Sequence, residues 1–277
     1  MKLKKIINSI PSYILLIIFS LIALFPILLI LNTSFRTRAD IIQKGPFALP
    51  TVFHFENYAK AWEQGHFLVY YKNSLIITSA TIIGVLAFSL LAAYVFSFLK
   101  FKGKSFWYAM IIFGLIIPVE LIIIPTFYNM IFLHLSKTHW VLILPQIGAT
   151  VPFGIFLLRA FMSNLPRELL ESARIDGASE FKILFYLVTP LVKPALITLL
   201  IFTAMWSWNN FFAPVVLIQR EYMRTVPLGL LFFQSTRTTE FPLITAGAMI
   251  VAIPIIIIYL IFQRSLIRGI TAGALKE

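Results

Sequence analysis

Cysteine is absent from all 277 residues, which removes thiolate metal sites, disulfide staples and thiol nucleophiles at once. Charge is scarce as well: Asp, Glu, Lys and Arg make up 12% of the chain, against about a quarter in a soluble domain. Acidic residues are the scarcest, 11 against 23 basic ones, for a net charge of +12. No G-x-x-x-x-G-K-[ST] nucleotide loop, no G-x-G-x-x-G and no H-E-x-x-H occurs, so the chain carries no recognisable ATP site or catalytic centre. His54, His66, His134 and His139 fall in predicted outer segments or at span edges without paired ligand spacing, and read as solvated or interfacial, with no metal site.

What the chain has instead is apolar length. Hydrophobic residues make up 60% of it, gathered into runs of roughly twenty, the length a helix needs to cross about 30 Å of hydrocarbon. Candidate spans fall at about 12–31, 73–98, 107–127, 140–160, 191–216 and 241–263. The fold class expected is an all-α integral membrane protein with six transmembrane helices and both termini on one side of the lipid bilayer. Basic residues name the side. Lys2, Lys4 and Lys5 precede the first span, Lys100, Lys102 and Lys104 follow the second, and Arg264, Arg268 and Lys276 follow the sixth; Arg159, Arg167, Arg174, Lys182 and Lys193 surround the segment between spans four and five. These are most of the 23 basic residues, so both termini and that segment are cytoplasmic. Excess positive charge in a membrane chain anchors topology, and nucleic acid is not expected as a partner. The first span ends in Asn32-Thr33-Ser34-Phe35 without a small-x-small cleavage pattern, and reads as an uncleaved anchor. The organisation expected is an anchor helix with an outer loop over 1–71, a transmembrane domain over 72–263 and a cytoplasmic tail over 264–277. A second outer loop runs from Ile218 to Glu240.

The segment between spans four and five concentrates polarity: Leu165-Pro166-Arg167-Glu168-Leu169-Leu170-Glu171-Ser172-Ala173-Arg174-Ile175-Asp176-Gly177-Ala178. Ser163 and Asn164 offer capping oxygens, Pro166 suits a first turn and Glu168 favours the positive end of the helix dipole, so a short helix should begin near 165. Leu165, Leu169, Ser172 or Ala173, and Asp176 recur along one side, and the small Ser172 and Ala173 let another backbone approach closely. Gly177 permits the positive φ that stops a helix and turns the chain. Phe181, Leu184, Phe185 and Val188 then follow the spacing of an amphipathic helix resting on the membrane bundle. The result is a cytoplasmic helical hairpin with one greasy foot and one polar face.

Glu171-Ser172-Ala173, Gly177 and Leu187-Val188-Thr189-Pro190 are in register with the cytoplasmic coupling loop that this chain resembles, that of binding-protein-dependent ABC importer permeases: Glu-Ala-Ala, three residues, Gly, nine residues, Ile-x-Leu-Pro. Ser172, Leu187 and Thr189 are the departures. Pro166, Glu168, Leu169, Ile175-Asp176-Gly177-Ala178, Lys193-Pro194-Ala195, Asn57-Tyr58, Asn73-Ser74 and the tail Arg268 to Lys276 are similar to the carbohydrate branch, and the tail to the smaller, maltose-type subunit. The resemblance implies a permease that moves carbohydrate by alternating access. It implies as partners a second, larger permease subunit, two ATPase domains and an extracytoplasmic solute-binding protein. ATP and Mg would sit on the ATPase, and this chain would bind no cofactor. The resemblance further implies that Leu165, Pro166, Glu168, Leu169, Glu171, Ser172, Ala173, Asp176, Gly177 and Ala178 form the ATPase contact, and that Thr271, Ala272 and Gly273 make a second cytoplasmic one.

Two sets of residues inside the spans have competing readings. Glu120, in Ile117-Pro118-Val119-Glu120-Leu121, is either a functional intramembrane carboxylate or an interfacial group bonded to backbone freed by Pro118 and Pro125. Trp206, Trp208, Asn209 and Asn210 combine flat apolar faces with amides, as a sugar ring requires; the alternative is an outer aromatic belt with interhelical hydrogen bonds. A proton-linked secondary carrier using Glu120 is the rival function, although the sequence has no evident internal repeat.

Overall fold

The computed structural model describes residues 2–233 and 240–274, with side chains described over 11–233 and 240–263. Among the described residues every regular element is helical, in the order α1 (Lys2–Ser34), α2 (Arg38–Lys44), α3 (Glu56–Gln64), α4 (Phe67–Phe98), α5 (Lys104–Phe113), α6 (Val119–Phe132), α7 (Trp140–Met162), α8 (Arg167–Ile175), a π-helix (Ile183–Val188), α9 (Lys193–Trp208), α10 (Phe212–Leu217), a 3-10 stretch (Val226–Phe233) and α11 (Phe241–Ala274).

Among the described residues four helices are long and apolar enough to cross a bilayer: Pro11–Ser34, Phe67–Phe98, Trp140–Met162 and Phe241–Gln263. The segments Glu180–Leu191 and Lys193–Trp208 meet at 79° and together make a fifth candidate. The third predicted span, 107–127, is not one helix. Pro118 has no N–H to give and forces the preceding residue out of helical conformation, so the run divides into α5, of 10 residues, and α6, of 14. At 1.5 Å per residue these measure about 15 and 21 Å, each short of the membrane's hydrocarbon core.

Two compact units are formed, Met1–Leu68 with Gly229–Ile253, and Val69–Leu228 with Pro254–Glu277. In the first, α1 is exposed at every position from 11 to 28 and becomes buried only at its end, at Ser34. The chain leaving it is fixed by polar bonds. Asn57 donates to the carbonyls of Ser34 and Arg36 at 2.9 and 3.0 Å, and the fully buried Arg36 donates to the carboxylate of Asp40 and to the Gly45 carbonyl. Lys44 and Arg36 together hold the Asp40 carboxyl below the usual carboxylate range. Phe35 gathers Phe53, Phe55 and Tyr58 around this bend.

In the second unit, α4, α7, α8, the π-helix and α9 share one apolar core that includes Leu90, Tyr94, Leu158, Met162, Leu170, Leu184, Val188 and Leu199. Close approach rests on small residues: a Cβ added at Gly154 would meet Ser89 Oγ at 2.1 Å. A second core joins Ile77, Ile123, Met130, Leu142, Ala213 and Leu217. A cavity lies beside this second core, lined by its Ile123, Leu142, Ala213 and Leu217.

Candidate functional site

The polar hairpin is built from α8 outward. Ser163 and Asn164 do not cap it; Ser163 ends α7 and donates to the Ala160 carbonyl at 3.0 Å, while Pro166 is the residue before the first turn. A proline there loses nothing, since its N–H would have had no helical partner. Leu170 is the anchor, 2% exposed in the shared core. Leu165, Ala173 and Ala178 are half-buried, and Glu168, Leu169, Glu171, Ser172, Ile175, Asp176 and Gly177 face outward. Ile175 is 86% exposed. A nine-residue helix carrying one buried leucine and a mixed exposed face is rooted on one side and open on the other.

Gly177 takes φ +82°, as its position in the sequence predicts, and the chain turns there. Beyond it the expected amphipathic α-helix is absent. Glu180–Lys182 leads into a π-helix, so the buried residues are Ile183, Leu184 and Val188, while Phe181 and Phe185 are exposed at 69% and 50%. The wider π turn shifts the buried stripe off the 3.6-residue spacing. Thr189 donates back to the Leu184 carbonyl at 2.8 Å.

A polar clamp, not legible from spacing, closes the hairpin. Arg174 Nε donates to Glu180 Oε1 at 2.8 Å and its terminal nitrogen to Oε2 at 3.2 Å; Tyr94, near the end of α4, donates its hydroxyl to the same Oε2 at 2.5 Å. One carboxylate thus ties the two arms of the hairpin to each other and to a long apolar helix. The Arg174 hydrogen bonds, then that of Tyr94, hold the Glu180 carboxyl below the usual carboxylate range, so it stays ionised at neutral pH. Glu180 in turn pulls the Arg174 guanidinium's pKa up.

The second feature is a cavity of about 320 Å³. Trp206 and Asn210 line it; Trp208, Asn209 and Glu120 do not. Trp208 is buried against Tyr71, edge to face at 5.4 Å, and Asn209 ends α9 exposed. Glu120 is exposed in the first turn of α6. Sequence reasoning missed Gln146, Thr81 and Phe153, which also line the cavity and which sit on helices α7 and α4 with no local motif around them. The backbone of Thr271, Ala272 and Gly273 continues α11, while their side chains and residues 275–277 lie outside the described part.

A family model described as "Binding-protein-dependent transport system inner membrane component" matches residues 84–271. The probable ABC transporter permease protein YurM of Bacillus subtilis is 33% identical over 99% of this chain and 90% of its own length. The arabinooligosaccharides transport system permease protein AraQ of Halalkalibacterium halodurans is 32% identical over 99% of this chain and all of its own. Among solved structures, a chain of a bacterial ABC transporter involved in the import of the acidic polysaccharide alginate superposes with a TM-score of 0.81 at 28% identity, covering 94% of this chain and 97% of that one.

Proposed function

As the chain belongs to the binding-protein-dependent transport system inner membrane components, permeases of the bacterial inner membrane, we propose that it is the smaller permease subunit of an ATP-driven saccharide importer. The observation that carries this reading is the hairpin: a helix anchored in the apolar core by the buried Leu170, with Ala173 packed beside it, and with Glu168, Glu171, Ser172 and Asp176 presented outward and locked to α4 through Glu180. A docking element that transmits force needs both an open face and a rigid root.

Six crossings complete the topology, with α5 and α6 together as the third and α9 in the fifth, both termini and the hairpin on the cytoplasmic side. Each of two ATPase domains receives one hairpin, from this chain and from a larger permease partner. ATP and Mg belong to those domains, and this chain binds no cofactor. Closure of the ATPase pair pushes α8, and the Tyr94–Glu180–Arg174 clamp and the Leu170 contact carry the displacement to α4, α7 and α9, switching the bundle between inward- and outward-facing states. Thr271, Ala272 and Gly273 make the second cytoplasmic contact. The 32–70 and 218–240 segments meet the extracytoplasmic binding protein that delivers the sugar. Saccharide as cargo follows the arabinooligosaccharide relative and the alginate importer.

Purification of the tagged chain from native membranes in mild detergent tests the assembly. A second permease, an ATPase and a solute-binding protein should co-purify, with hydrolysis stimulated by a saccharide. Recovery of the chain alone, with uptake surviving ATP depletion and collapsing with the proton gradient, would refute the reading.

A further inference from the structure

At the root of the hairpin a polar pocket and an apolar groove run into each other. The pocket, of about 460 Å³, is lined by Lys100 in the α4–α5 loop and Lys104 at the start of α5, and by Arg167, Glu171, Arg174 and Glu180 from the hairpin. The groove, of about 450 Å³, is lined by Phe88, Leu91, Val95 and Phe96 along α4 and by Phe181 and Leu184 beyond the turn. Leu99 and Glu180 line both, so the two are continuous. Charge in the pocket is unbalanced. Arg174 and Glu180 neutralise each other in the clamp, which leaves Lys100, Lys104 and Arg167 against Glu171, and among the described residues none of these four forms an ion pair. Lys104 is held by backbone instead: its ammonium donates to the Leu99 carbonyl at 2.9 Å and to that of Ser97 at 3.4 Å, with a third N–H left over. Partial burial, and then the like charges of Arg159 and Arg167, push its pKa down.

Position gives the chemistry of the ligand. α4 is long and apolar enough to cross a bilayer, so Lys100, just past its end at Phe98, falls at the level of the headgroups. Trp107, 53% exposed in the first turn of α5, is the aromatic anchor expected at that level. The groove runs from there along α4, over Leu91 and Phe88, which are 39% and 57% exposed. The cations call for a phosphate and the groove for hydrocarbon. A soluble anion would leave the groove empty, and a neutral headgroup would leave the cations unpaired. An anionic phospholipid answers both, and basic pockets on the cytoplasmic side of membrane proteins bind such headgroups. Glu180, at the seam, does not repel it, because Arg174 and Tyr94 already occupy its oxygens. Basic residues on this side anchor topology whether or not they bind lipid. What sets these three apart is the pocket that opens into a groove; Lys102, in the same loop, lines neither.

We propose that pocket and groove together form a site for one anionic phospholipid of the cytoplasmic leaflet, with its phosphate on Lys100, Lys104 and Arg167 and an acyl chain along Phe88, Leu91 and Phe181. The proposal rests on the cytoplasmic placement of the hairpin in the importer reading, and adds a ligand that is neither cargo nor partner subunit. Lys100 and Arg167 are exposed and carry no internal ion pair, so neutralising them removes charge without touching the core, and a loss of lipid is then not a loss of fold.

The test uses the full chain with whatever partners co-purify, stripped of native lipid in detergent and titrated under native mass spectrometry with dioleoyl-phosphatidylglycerol, dioleoyl-phosphatidylcholine or glycerol phosphate. One phosphatidylglycerol should bind about tenfold or more tightly than phosphatidylcholine, and glycerol phosphate, which has the charge without the tails, should not displace it. Lys100→Gln combined with Arg167→Gln should lower the phosphatidylglycerol affinity about tenfold or more at an unchanged melting temperature, whereas Lys102→Gln should match the wild type. A photoactivatable acyl chain on phosphatidylglycerol should label the chain within 88–99 or 180–184. Equal affinity for the two lipids, or an equal loss in Lys102→Gln, would leave only diffuse surface charge and overturn the site. Displacement by glycerol phosphate would make it a site for soluble phosphate, and label confined to other segments would move the lipid elsewhere; either overturns the proposal. So would a benzophenone side chain at Leu91 that captures, in native membranes, a second permease chain and no lipid. All of these leave the importer reading standing. Labelling of Ile175→Cys by an impermeant maleimide in spheroplasts would overturn both.

Discussion

A Cβ added at Gly177 meets nothing within 4 Å, yet the backbone there sits at φ +82°. Any cost of substitution is therefore conformational and not steric. A left-handed residue costs an L-amino acid roughly 1–2 kcal/mol, more for a β-branched one and less for Asn. Gly177→Val should insert normally but lose most uptake, because relaxing the turn swings α8 away from its root; Gly177→Asn should retain most of it. Wild-type uptake by Gly177→Val at normal membrane abundance would remove the hairpin turn from the mechanism. This glycine was legible because only one residue type adopts that conformation freely. Leu170 was not. Leu169 and Leu170 are adjacent on a nine-residue helix, and only the packing of α4, α7 and the π-helix makes the second of them the buried one. Gln146 and Thr81 were silent for a different reason: residues that line one cavity from two helices share no sequence signature, because what unites them is proximity in three dimensions.

At the scale of the element, the hairpin separates stability from transmission. Leu170 belongs to the core, and truncating a buried leucine costs about 2–5 kcal/mol, so Leu170→Ala should lower the melting temperature of the complex as well as uptake. Glu180 contributes otherwise. Arg174 and Glu180 are 38% and 43% exposed, and a solvent-facing pair of this kind is worth at most about 1 kcal/mol. Glu180→Gln should therefore leave the melting temperature almost unchanged while weakening the link from α8 to Tyr94. The expected readout is uncoupling: saccharide-stimulated ATP hydrolysis persists, but fewer sugar molecules enter per ATP. Unchanged coupling in Glu180→Gln would limit the clamp to a passive surface contact. Elements were legible wherever one apolar run made one helix, as for α1, α4, α7 and α11. They were misread where a proline or a change of helical pitch intervened: Pro118 divides the third run, and the π-helix exposes Phe181 and Phe185 and buries Ile183 beside the expected Leu184 and Val188. Hydropathy reports how much apolar surface a run carries, not how the backbone bends within it.

For the whole molecule, the crossing count depends on the broken elements. Among the described residues four helices are each sufficient to cross, and the sixfold topology requires that α5 with α6 cross once between them and that α9, bent at 79° from the segment Glu180–Leu191, complete the fifth crossing. The missing cysteines make this directly measurable, since every introduced thiol is the chain's only one. Ile42→Cys and Ile175→Cys replace side chains that are 73% and 86% exposed, and Lys102→Cys and Lys137→Cys flank the broken third crossing at exposed positions. A membrane-impermeant maleimide should label Ile42→Cys and Lys137→Cys in spheroplasts, and Ile175→Cys and Lys102→Cys in inverted vesicles. The basic residues predict this pattern independently, because Lys100, Lys102 and Lys104 lie on the face that they mark as cytoplasmic. Labelling of Lys102→Cys and Lys137→Cys from the same face would make α5 and α6 a re-entrant loop. The hairpin would then lie outside, beyond the reach of any cytoplasmic ATPase, and the coupling role of α8 would fall with the topology.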